Sequence, residues 1–335
     1  MTPEETAVDA VDEITIETAY DSAWVGEEAR RLSNWGRWGS DDQIGAWNTV
    51  TPEKVKQAAA CVRKGLVFSL ALPFGVDGPN SGQIPNRLNA LHFMTLSGSD
   101  VTAGAQRHFA GDAGFAEDWI LMNTSASTQW DGFPHVFRDG RMYNDVSASA
   151  VPSAGARRNS IAELRDRIVT RGVLLDVPRQ KGRPWLEPGY AIEPEDLDAC
   201  LQASGVDVGP GDAVLIRTGA LARVRARGSW GDYAGTGPAA GLGLRTGAWF
   251  RERDVAAVAA DNWSFEVMPW ATPDTIGPLH QIVLCHCGIS IGEMFDLEAL
   301  ADDCAADGVY ECMLVAPPLP VEGAVNTPTN PQAIK

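Results

Sequence analysis

The stretch GPGDAVLIRTG, residues 209–219, joins a turn to a short apolar run. Gly and Pro mark turns. An apolar run of five residues after a turn indicates a strand buried on both of its faces. We therefore predict a turn over 209–212 and a strand over 213–217, preceded by a helix over 194–204. A strand of this kind requires covering layers, which favours an α/β architecture.

Apolar periodicity and turn residues on both sides of this stretch indicate the remaining elements. The predicted strands cover 66–72, 120–124, 173–177, 255–260 and 279–284, and the predicted helices cover 23–32, 51–65, 160–171, 246–253 and 298–307. The elements alternate irregularly, without the repeat of a doubly wound sheet. Gly241-Leu242-Gly243 lacks the third glycine of a dinucleotide fingerprint. The prediction is a single α/β domain, with a Gly-rich surface loop over 227–243.

Composition excludes several classes of function. The chain has 335 residues, 44% of them hydrophobic, and a net charge of −17. This acidity argues against nucleic acid and against an anionic membrane surface as partners. No apolar run reaches the length of a bilayer crossing. We predict an acidic N-terminal arm with a helix over residues 1–32, packed on the body or on a partner subunit, and a catalytic domain over 33–335.

Cysteine usage indicates a reducing compartment. Six cysteines in a chain of this length, scattered except for Cys285 and Cys287, do not form a disulfide framework. On a strand these two would share one face and His286 the other, so we interpret them as core thiols. With an acidic rather than basic N-terminus, we predict a cytoplasmic protein.

Two segments carry candidate chemistry. Residues 125–135 read SASTQWDGFPH, where Gln129, Asp131 and His135 offer a carboxamide, a carboxylate and an imidazole for a divalent cation or a proton transfer. Residues 279–284 (LHQIVL) and 288–297 (GISIGEMFDL) place His280 and Glu293 at the two ends of one hairpin-like unit. Such a unit could turn both side chains toward one pocket.

Together these segments resemble the cyclase family that includes bacterial kynurenine formamidases and isatin hydrolases. The family signature is His-x-Gly-Thr-His-x-Asp, then three residues and His, with a later His and Glu. The positions that match it are Thr128, Asp131, His135, His280 and Glu293. Further similarity runs through NWGRWG (34–39), TPE (51–53), DGRMYN (139–144), GDAVLIRTG (211–219) and Asn330-Pro331.

The resemblance implies a compact α/β fold of the swivelling β/β/α type with a mixed sheet, assembled as a homodimer or homotetramer. It implies that Asp131, His280 and Glu293 bind a divalent metal and that His135 is the acid/base. The chain departs from the signature at Ser125, Ser127 and Gln129, as in a distinct branch that carries Ser-Thr-Gln-Trp-Asp-Gly.

These departures leave two alternatives for the centre. In one, Gln129 oxygen joins Asp131, His280 and Glu293 around a single metal, and oxygen-rich ligation favours Mn²⁺ or Mg²⁺ over Zn²⁺, although Zn²⁺ stays a candidate. In the other there is no metal, and Gln129 is catalytic as a hydrogen-bond donor to an oxyanion.

Four further residues are candidates for binding a small-molecule substrate. Trp130 neighbours the proposed ligands and is interpreted as a pocket wall, while Trp35 and Trp38 are either pocket or core. His92 is either a replacement ligand or an ordinary polar histidine.

Asp261, at the end of a predicted strand, is either an active group or a cap of the next turn.

Three functions fit this pattern. The first is a hydrolase of a small amide, lactam or lactone, the second a cyclase or dehydratase of a secondary metabolite, and the third a catalytically silent binder.

Overall fold

A nine-stranded mixed sheet organises the part of the chain that the structure, a computed structural model, describes, namely residues 20–80 and 82–335. Its strands are β1 (Val67–Ser69), β4 (Gln129–Asp131), β7 (Val169–Asp176), β9 (Ala213–Arg217), β11 (Ala257–Ala260), β12 (Ser290–Glu293), β13 (Glu311–Val315), β14 (Asn326–Pro328) and β15 (Gln332–Ile334). The order is β1-β15-β13-β7-β9-β11-β12-β4-β14, with β7, β9, β11 and β12 parallel and the flanking pairs antiparallel.

Three small two-stranded sheets accompany the main one: β2 (Leu91–Leu96) with β3 (Glu117–Leu121), β5 (Arg141–Met142) with β6 (Val146–Ser147), and β8 (Ala191–Ile192) with β10 (Gly241–Leu242). The helices are α1 (Ser22–Leu32), α2 (Pro52–Ala59), α3 (Gly98–Ala103), α4 (Val177–Gln180), α5 (Pro194–Ser204), α6 (Ala220–Arg227), α7 (Thr246–Glu252), α8 (Pro278–His280) and α9 (Glu298–Asp307). Helix α8 continues as a π-helix over Gln281–Cys287. Short 3₁₀ turns cover Gly45–Thr49, Ala110–Asp112, Phe133–His135, Tyr143–Asp145, Ala148–Ala150 and Ile161–Leu164.

Both faces of the central strands are covered, as their sequences predict. Along β9, Val214 and Ile216 belong to a core that also includes residues of α1, α5, α7 and the π-helix. Ala213 and Leu215 belong to the core on the opposite face, which includes residues of α9. The expected single α/β domain with a mixed sheet is confirmed. None of the described helices is long and apolar enough to cross a bilayer.

The predicted N-terminal arm is described only from residue 20, so residues 1–19 lie outside the structure's description. Asp21 caps α1 by accepting a hydrogen bond from the backbone N–H of Trp24 at 2.8 Å. Val25, Ala29 and Leu32 of α1 are buried in the core beside the π-helix. This helix therefore packs on the body of its own chain.

The strand predicted over residues 279–284 is wrong. This segment is helical, because Gly277 adopts a left-handed φ of 56° and Pro278 then starts the helix. A short apolar run fits a buried helix as well as a buried strand. Cys285 and Cys287 therefore lie on a π-helix, although both are buried free thiols as expected.

Other boundaries also differ from the predictions. Instead of a helix over 160–171, only Ile161–Leu164 forms a 3₁₀ turn, and β7 already begins at Val169. The strand predicted at 120–124 is β3, Glu117–Leu121, and it belongs to the β2–β3 hairpin. Helix α2 ends at Ala59, short of residue 65. The predicted loop 227–243 contains buried Tyr233 and Ala234 and the short strand β10.

Candidate metal centre

Strand β4 places two of the predicted site residues on one face of the sheet. It lies between β12 and β14, and Gln129 is paired with Glu293 while Asp131 is paired with Asn326. Side chains two residues apart on a strand share a face, and directly paired residues share it too. Gln129, Asp131, Glu293 and Asn326 therefore point to the same side.

Trp130 points to the opposite side, which contradicts its interpretation as a pocket wall. Its side chain is fully buried and packs edge-on against Phe295, and its Nε1 atom donates to the Ala316 carbonyl at 3.0 Å. Gly292 makes room for this indole, because a Cβ at that position would lie 2.8 Å from the Trp130 ring. Trp130 is a core residue.

His280, the last residue of α8, reaches the same cluster from just before the π-helix. The carboxylate of Glu266 accepts hydrogen bonds from the backbone N–H groups of Leu279 and His280, at 3.0 and 3.1 Å. The same carboxylate lies 2.5 Å from Nδ1 of His280. Since Nδ1 is engaged, Nε2 is the ring nitrogen that faces the strands.

Three ligand atoms converge at this point. Atoms of Asp131, His280 and Glu293 all lie within 4.8 Å of one another. Nε2 of His280 is 3.4 Å from Oε1 of Glu293 and 3.8 Å from Oδ2 of Asp131. Adjacent ligands bound at about 2.1 Å to one metal lie roughly 3.0–3.4 Å apart. The cluster is therefore only slightly wider than a coordination sphere.

The electrostatics of the cluster show an excess of buried negative charge. Burial raises the pKa of Glu293 to about 7, and the neighbouring Asp131 charge adds to this rise. Burial by itself lowers the pKa of His280, but its bonds with Glu266 and Glu293 outweigh burial and raise the pKa to about 10. In the absence of a metal, the protonated His280, 3.4 Å from Glu293 and 3.8 Å from Asp131, offsets part of the charge of the two carboxylates. A divalent cation would take the place of its Nε2 proton.

Gln129 uses its amide nitrogen toward the carboxylates. Nε2 donates to Oδ1 of Asp131 at 3.1 Å and to Oε2 of Glu293 at 2.9 Å. Its Oε1 atom is buried without a hydrogen-bond partner among the described residues. As placed, Gln129 holds the two acids together as a donor, and an amide rotation would present the oxygen that metal ligation requires.

His135 lies at the border of the cluster. Its Nε2 atom is 4.0 Å from Oδ1 of Asp131. On its other side Nδ1 is 3.2 Å from Nδ2 of Asn326, which also donates to the hydroxyl of Ser125 at 2.6 Å. Burial lowers the pKa of His135, although the charge of Asp131 opposes that shift. Because the Asn326 amide nitrogen can only donate, Nδ1 is the acceptor as placed and Nε2 carries the proton of the neutral ring. Rotation of the Asn326 amide would let its Oδ1 atom, which has no partner among the described residues, accept from Nδ1–H and leave Nε2 free to accept a proton.

The donor set fits a divalent cation. Oδ2 of Asp131 is fully buried and, among the described residues, has no hydrogen-bond partner. A buried charged oxygen without a partner is costly, and coordination to a cation removes that cost. Two carboxylates and one imidazole, with Gln129 Oε1 in reserve, supply the oxygen-rich ligation predicted above.

The remaining predicted substrate residues lie elsewhere. Trp35 stacks on His286 and donates to the Cys285 carbonyl at 2.6 Å, so its partners belong to the π-helix. Trp38 packs under the Arg37 guanidinium. His92 is half exposed on the β2–β3 hairpin, where Nε2 lies 2.7 Å from Asp118. The structure joins none of these three to the cluster.

Of the two interpretations of Asp261, the structure favours the turn cap over the active group. Its carboxylate accepts hydrogen bonds from the backbone N–H groups of Thr218 and Gly219 and from the Thr218 hydroxyl. It therefore ties the end of β11 to the turn after β9. Burial raises its pKa to about 6.

Sequence reasoning missed Glu266 and Asn326. Glu266 contacts His280, which follows it by 14 residues, and Asn326 contacts His135, which precedes it by 191 residues. Neither belongs to a recognisable motif. The only available signal for Asn326 was its place near the end of the chain, close to the Asn330-Pro331 that supports the resemblance.

The sequence family described as Putative cyclase matches residues 37–267. This match spans more than half of the chain. The chain belongs to that cyclase family. A crystal structure described as a novel cyclase superposes on the chain with a TM-score of 0.83 and 38% identity, covering 92% of this chain and 99% of the other.

More distant cyclase-fold relatives are isatin hydrolases. The isatin hydrolase A of Labrenzia aggregata, solved with benzyl benzoate, has a TM-score of 0.57 and 16% identity over 82% of this chain and 94% of its own. An isatin hydrolase solved with the product analogue thioisatinate has a TM-score of 0.56 and 14% identity, over 87% and 98% respectively. These likenesses establish the fold. No curated protein sequence matches the chain.

Proposed function

We propose that this cyclase-family protein is a metal-dependent hydrolase of a small amide, lactam or lactone. The observation that carries the proposal is the convergence of Asp131, His280 and Glu293 with an adjacent, weakly basic His135. The bond class comes from the family, in which the solved isatin hydrolases are named for a lactam substrate. Cytoplasmic location and Mn²⁺ preference remain parts of this proposal.

A divalent cation held by Asp131, His280 and Glu293 would supply Lewis acidity and lower the pKa of coordinated water. The protein's own residues would do the rest. Glu266 keeps Nδ1 of His280 engaged, so the ring presents Nε2 to the centre. Asn326 orients the ring of His135 from its Nδ1 side.

Proton transfer is the role proposed for His135. In hydrolysis the oxygen of a water molecule adds to the carbonyl carbon as hydroxyl, and the C–N or C–O bond of the substrate breaks. The other proton of that water must reach the leaving nitrogen or oxygen. Nε2 of His135 faces the cluster. With the Asn326 amide rotated so that its Oδ1 atom accepts from Nδ1–H, Nε2 is unprotonated and can take that proton and return it. As placed, Gln129 Nε2 donates to both carboxylates and holds them together.

The test combines elemental analysis with a substrate screen. Purified protein is expected to bind one Mn²⁺ per chain, and the Mn²⁺-loaded protein to open a member of a panel of lactams, lactones and N-acyl compounds. A His135→Ala variant should keep the metal and lose turnover. Full activity in this variant, or activity that survives complete chelation, would overturn the proposal.

A second candidate is a cyclase or dehydratase, favoured by the description of the 38% identical structure as a cyclase. Here His135 removes a proton next to a carbonyl and no water is consumed. Turnover in ¹⁸O-labelled water separates the two, because only hydrolysis places solvent oxygen in the product.

A third candidate is a catalytically silent binder, because Ser125 and Gln129 stand where the family signature has histidines. This candidate predicts ligand binding without turnover at any metal loading.

A further inference from the structure

Arg87 lies on a loop that borders the candidate metal centre. The described residues 82–90 form neither helix nor strand. Nδ2 of Asn89 donates to three backbone carbonyls earlier in the same loop, at 3.0–3.1 Å. Nδ2 of Asn80 donates in turn to the carbonyl of Ala126, in the segment that leads into β4. The loop is therefore held against the segment that precedes β4.

The guanidinium of Arg87 lies beside the indole of Trp263. Its Cζ atom is 5.9 Å from the centre of the ring, which is within the range of a cation–π contact. Trp263 follows Asn262, whose carbonyl accepts a hydrogen bond from the backbone N–H of Met294 at 2.9 Å. Met294 directly follows Glu293 of the cluster. Arg87 is therefore placed at the edge of the candidate metal centre.

This guanidinium has no partner among the described residues. Arg87 is half-buried, and no carboxylate or other hydrogen-bond acceptor of the described chain contacts its guanidinium. Each of the other partly or fully buried arginines that the structure describes has a carboxylate oxygen within 3.7 Å. Nε1 of Trp263 is also buried without an acceptor among the described residues. Because donors removed from water are costly when unpaired, these two neighbouring donor groups indicate an acceptor that comes from a bound molecule.

The charge of Arg87 acts on two groups of the centre. Burial lowers the pKa of His135, and the Arg87 charge lowers it further. Burial raises the pKa of Glu293, and the Arg87 charge opposes that rise. Because Coulomb interactions weaken with distance, a guanidinium that acts on both groups lies close to both. A molecule bound between these two groups would lie beside Arg87.

We propose that Arg87 binds a carboxylate of the substrate, so that this protein acts on small amides, lactams or lactones that carry a carboxylate. The inference rests on the proposed function, because it names the substrate class of the same site. A planar guanidinium can donate two parallel hydrogen bonds to a carboxylate. The face of Trp263 offers an apolar surface to the rest of a planar substrate.

Charge favours a carboxylate over other anions and over a neutral group. A chain with a net charge of −17 repels anions over most of its surface, so an unpaired cation at the centre supplies a local attraction. A carboxylate adds one negative charge beside Asp131 and Glu293, whereas a phosphate monoester would add about two. The single guanidinium of Arg87 matches the smaller charge.

Benzoate binding tests carboxylate recognition without any turnover. Benzoate and its uncharged analogue benzamide are titrated into the purified protein by calorimetry. Arg87→Met should weaken benzoate binding by about 10–100-fold, the usual effect of removing a charged hydrogen-bond partner, and should leave benzamide binding nearly unchanged. The control Arg157→Met removes the same charge at an exposed position and should bind benzoate as the unmodified chain does. Any bond of benzoate to a metal ion is common to all three proteins.

Two outcomes of this titration would overturn the inference. The first is equal benzoate affinity in Arg87→Met and Arg157→Met. The second is an equal loss of benzoate and benzamide binding in Arg87→Met, which would show a change in the shape of the site rather than the loss of a charge contact. Arg87→Lys keeps the charge without the planar fork, and its benzoate affinity should lie between those of Arg87→Met and the unmodified chain.

A paired substrate panel separates this inference from the proposed function. Each lactam, lactone and N-acyl compound is supplied once with a carboxylate and once with a primary carboxamide in its place. The unmodified chain should prefer the carboxylates by about 10–100-fold in kcat/KM, and Arg87→Met should lose this preference through a higher KM. Turnover without such a preference, or a loss in kcat at unchanged KM, would refute the role of Arg87 and leave the hydrolase in place. If no compound is turned over, the proposed function fails, and the benzoate titration still decides whether Arg87 binds a carboxylate.

Discussion

Nδ1 of His280 lies 2.5 Å from Oε1 of Glu266, and the same carboxylate accepts the backbone N–H groups that open helix α8. One buried acid thus sets both the start of the helix and the orientation of the imidazole. The negative charge also complements the positive end of the helix. Glu266 therefore positions His280 for the cluster, although its own carboxylate does not face the centre.

This relationship predicts that Glu266→Gln lowers the affinity for Mn²⁺ by about 10–100-fold, the usual effect of losing a partner of a metal-bound histidine. Titration calorimetry of the metal-free protein measures it. The exposed Glu163→Gln is the control and should bind Mn²⁺ as the unmodified chain does. Equal affinity in Glu266→Gln would show that the ring is held by other contacts.

Asp131→Asn separates metal binding from stability. The metal-free variant should be as stable as the unmodified chain or more so, because it removes the charge that, after burial, most raises the pKa of Glu293. Thermal unfolding with and without Mn²⁺ measures both effects. Mn²⁺ should raise the melting temperature of the unmodified chain and leave that of Asp131→Asn unchanged. A metal-induced rise in the variant would place the ion elsewhere.

The second histidine of the cyclase-family signature lies at the position of Gln129, and a Gln129→His variant restores that imidazole. Nε2 of Gln129 already lies within 3.1 Å of both carboxylates, so a histidine ring at this position would reach the same centre. We expect the variant to bind Zn²⁺ at least about tenfold more tightly, equivalent to 1.4 kcal/mol, because imidazole ligands suit Zn²⁺. Competition with a chromophoric chelator measures this. A Gln129→Leu variant, with no donor, should lose affinity for both Zn²⁺ and Mn²⁺.

His135→Gln should reduce kcat by about 10²–10⁴-fold, the usual contribution of a general acid/base, on whichever substrate the screen identifies. Metal content should not change, because the closest approach of His135 to the cluster is 4.0 Å, to Oδ1 of Asp131. Steady-state kinetics and elemental analysis on the same sample measure both quantities. Parallel loss of metal and activity would instead make His135 a ligand.

Acid should destabilise the fold through His286. Burial lowers its pKa to about 4, and the Arg138 and Arg30 charges contribute, while Asp139 acts in the opposite direction. The ordinary value is about 6.5, so between pH 6.5 and 4 the unfolded chain binds a proton that the folded chain excludes. The free energy of unfolding therefore falls as the pH falls through this window.

Urea unfolding between pH 7 and 4 checks this expectation. His286→Phe keeps an aromatic ring against Trp35 and cannot titrate, so its stability should depend less on pH. The control is His108→Phe, at an exposed position. A pH profile of His286→Phe that coincides with that of the unmodified chain would assign the acid sensitivity to other groups.

Local sequence determined several elements almost completely. The strand over Ala213–Arg217 and the helices over Pro194–Ser204 and Glu298–Asp307 have the bounds that their turns, caps and apolar runs predict. The family signature likewise pointed to Asp131, His280 and Glu293, and the structure brings these three together. Such signals are readable because they depend on residues a few positions apart.

Tertiary structure alone decided the rest. An apolar run such as residues 279–284 can form a strand or a helix, and the surrounding layers select the helix. The pairing of Gln129 with Glu293 joins residues 164 positions apart, and this register decides that Asp131 faces the cluster while Trp130 faces the core. Strand pairing and the Glu266 contact depend on long-range packing, which no local pattern of side chains encodes.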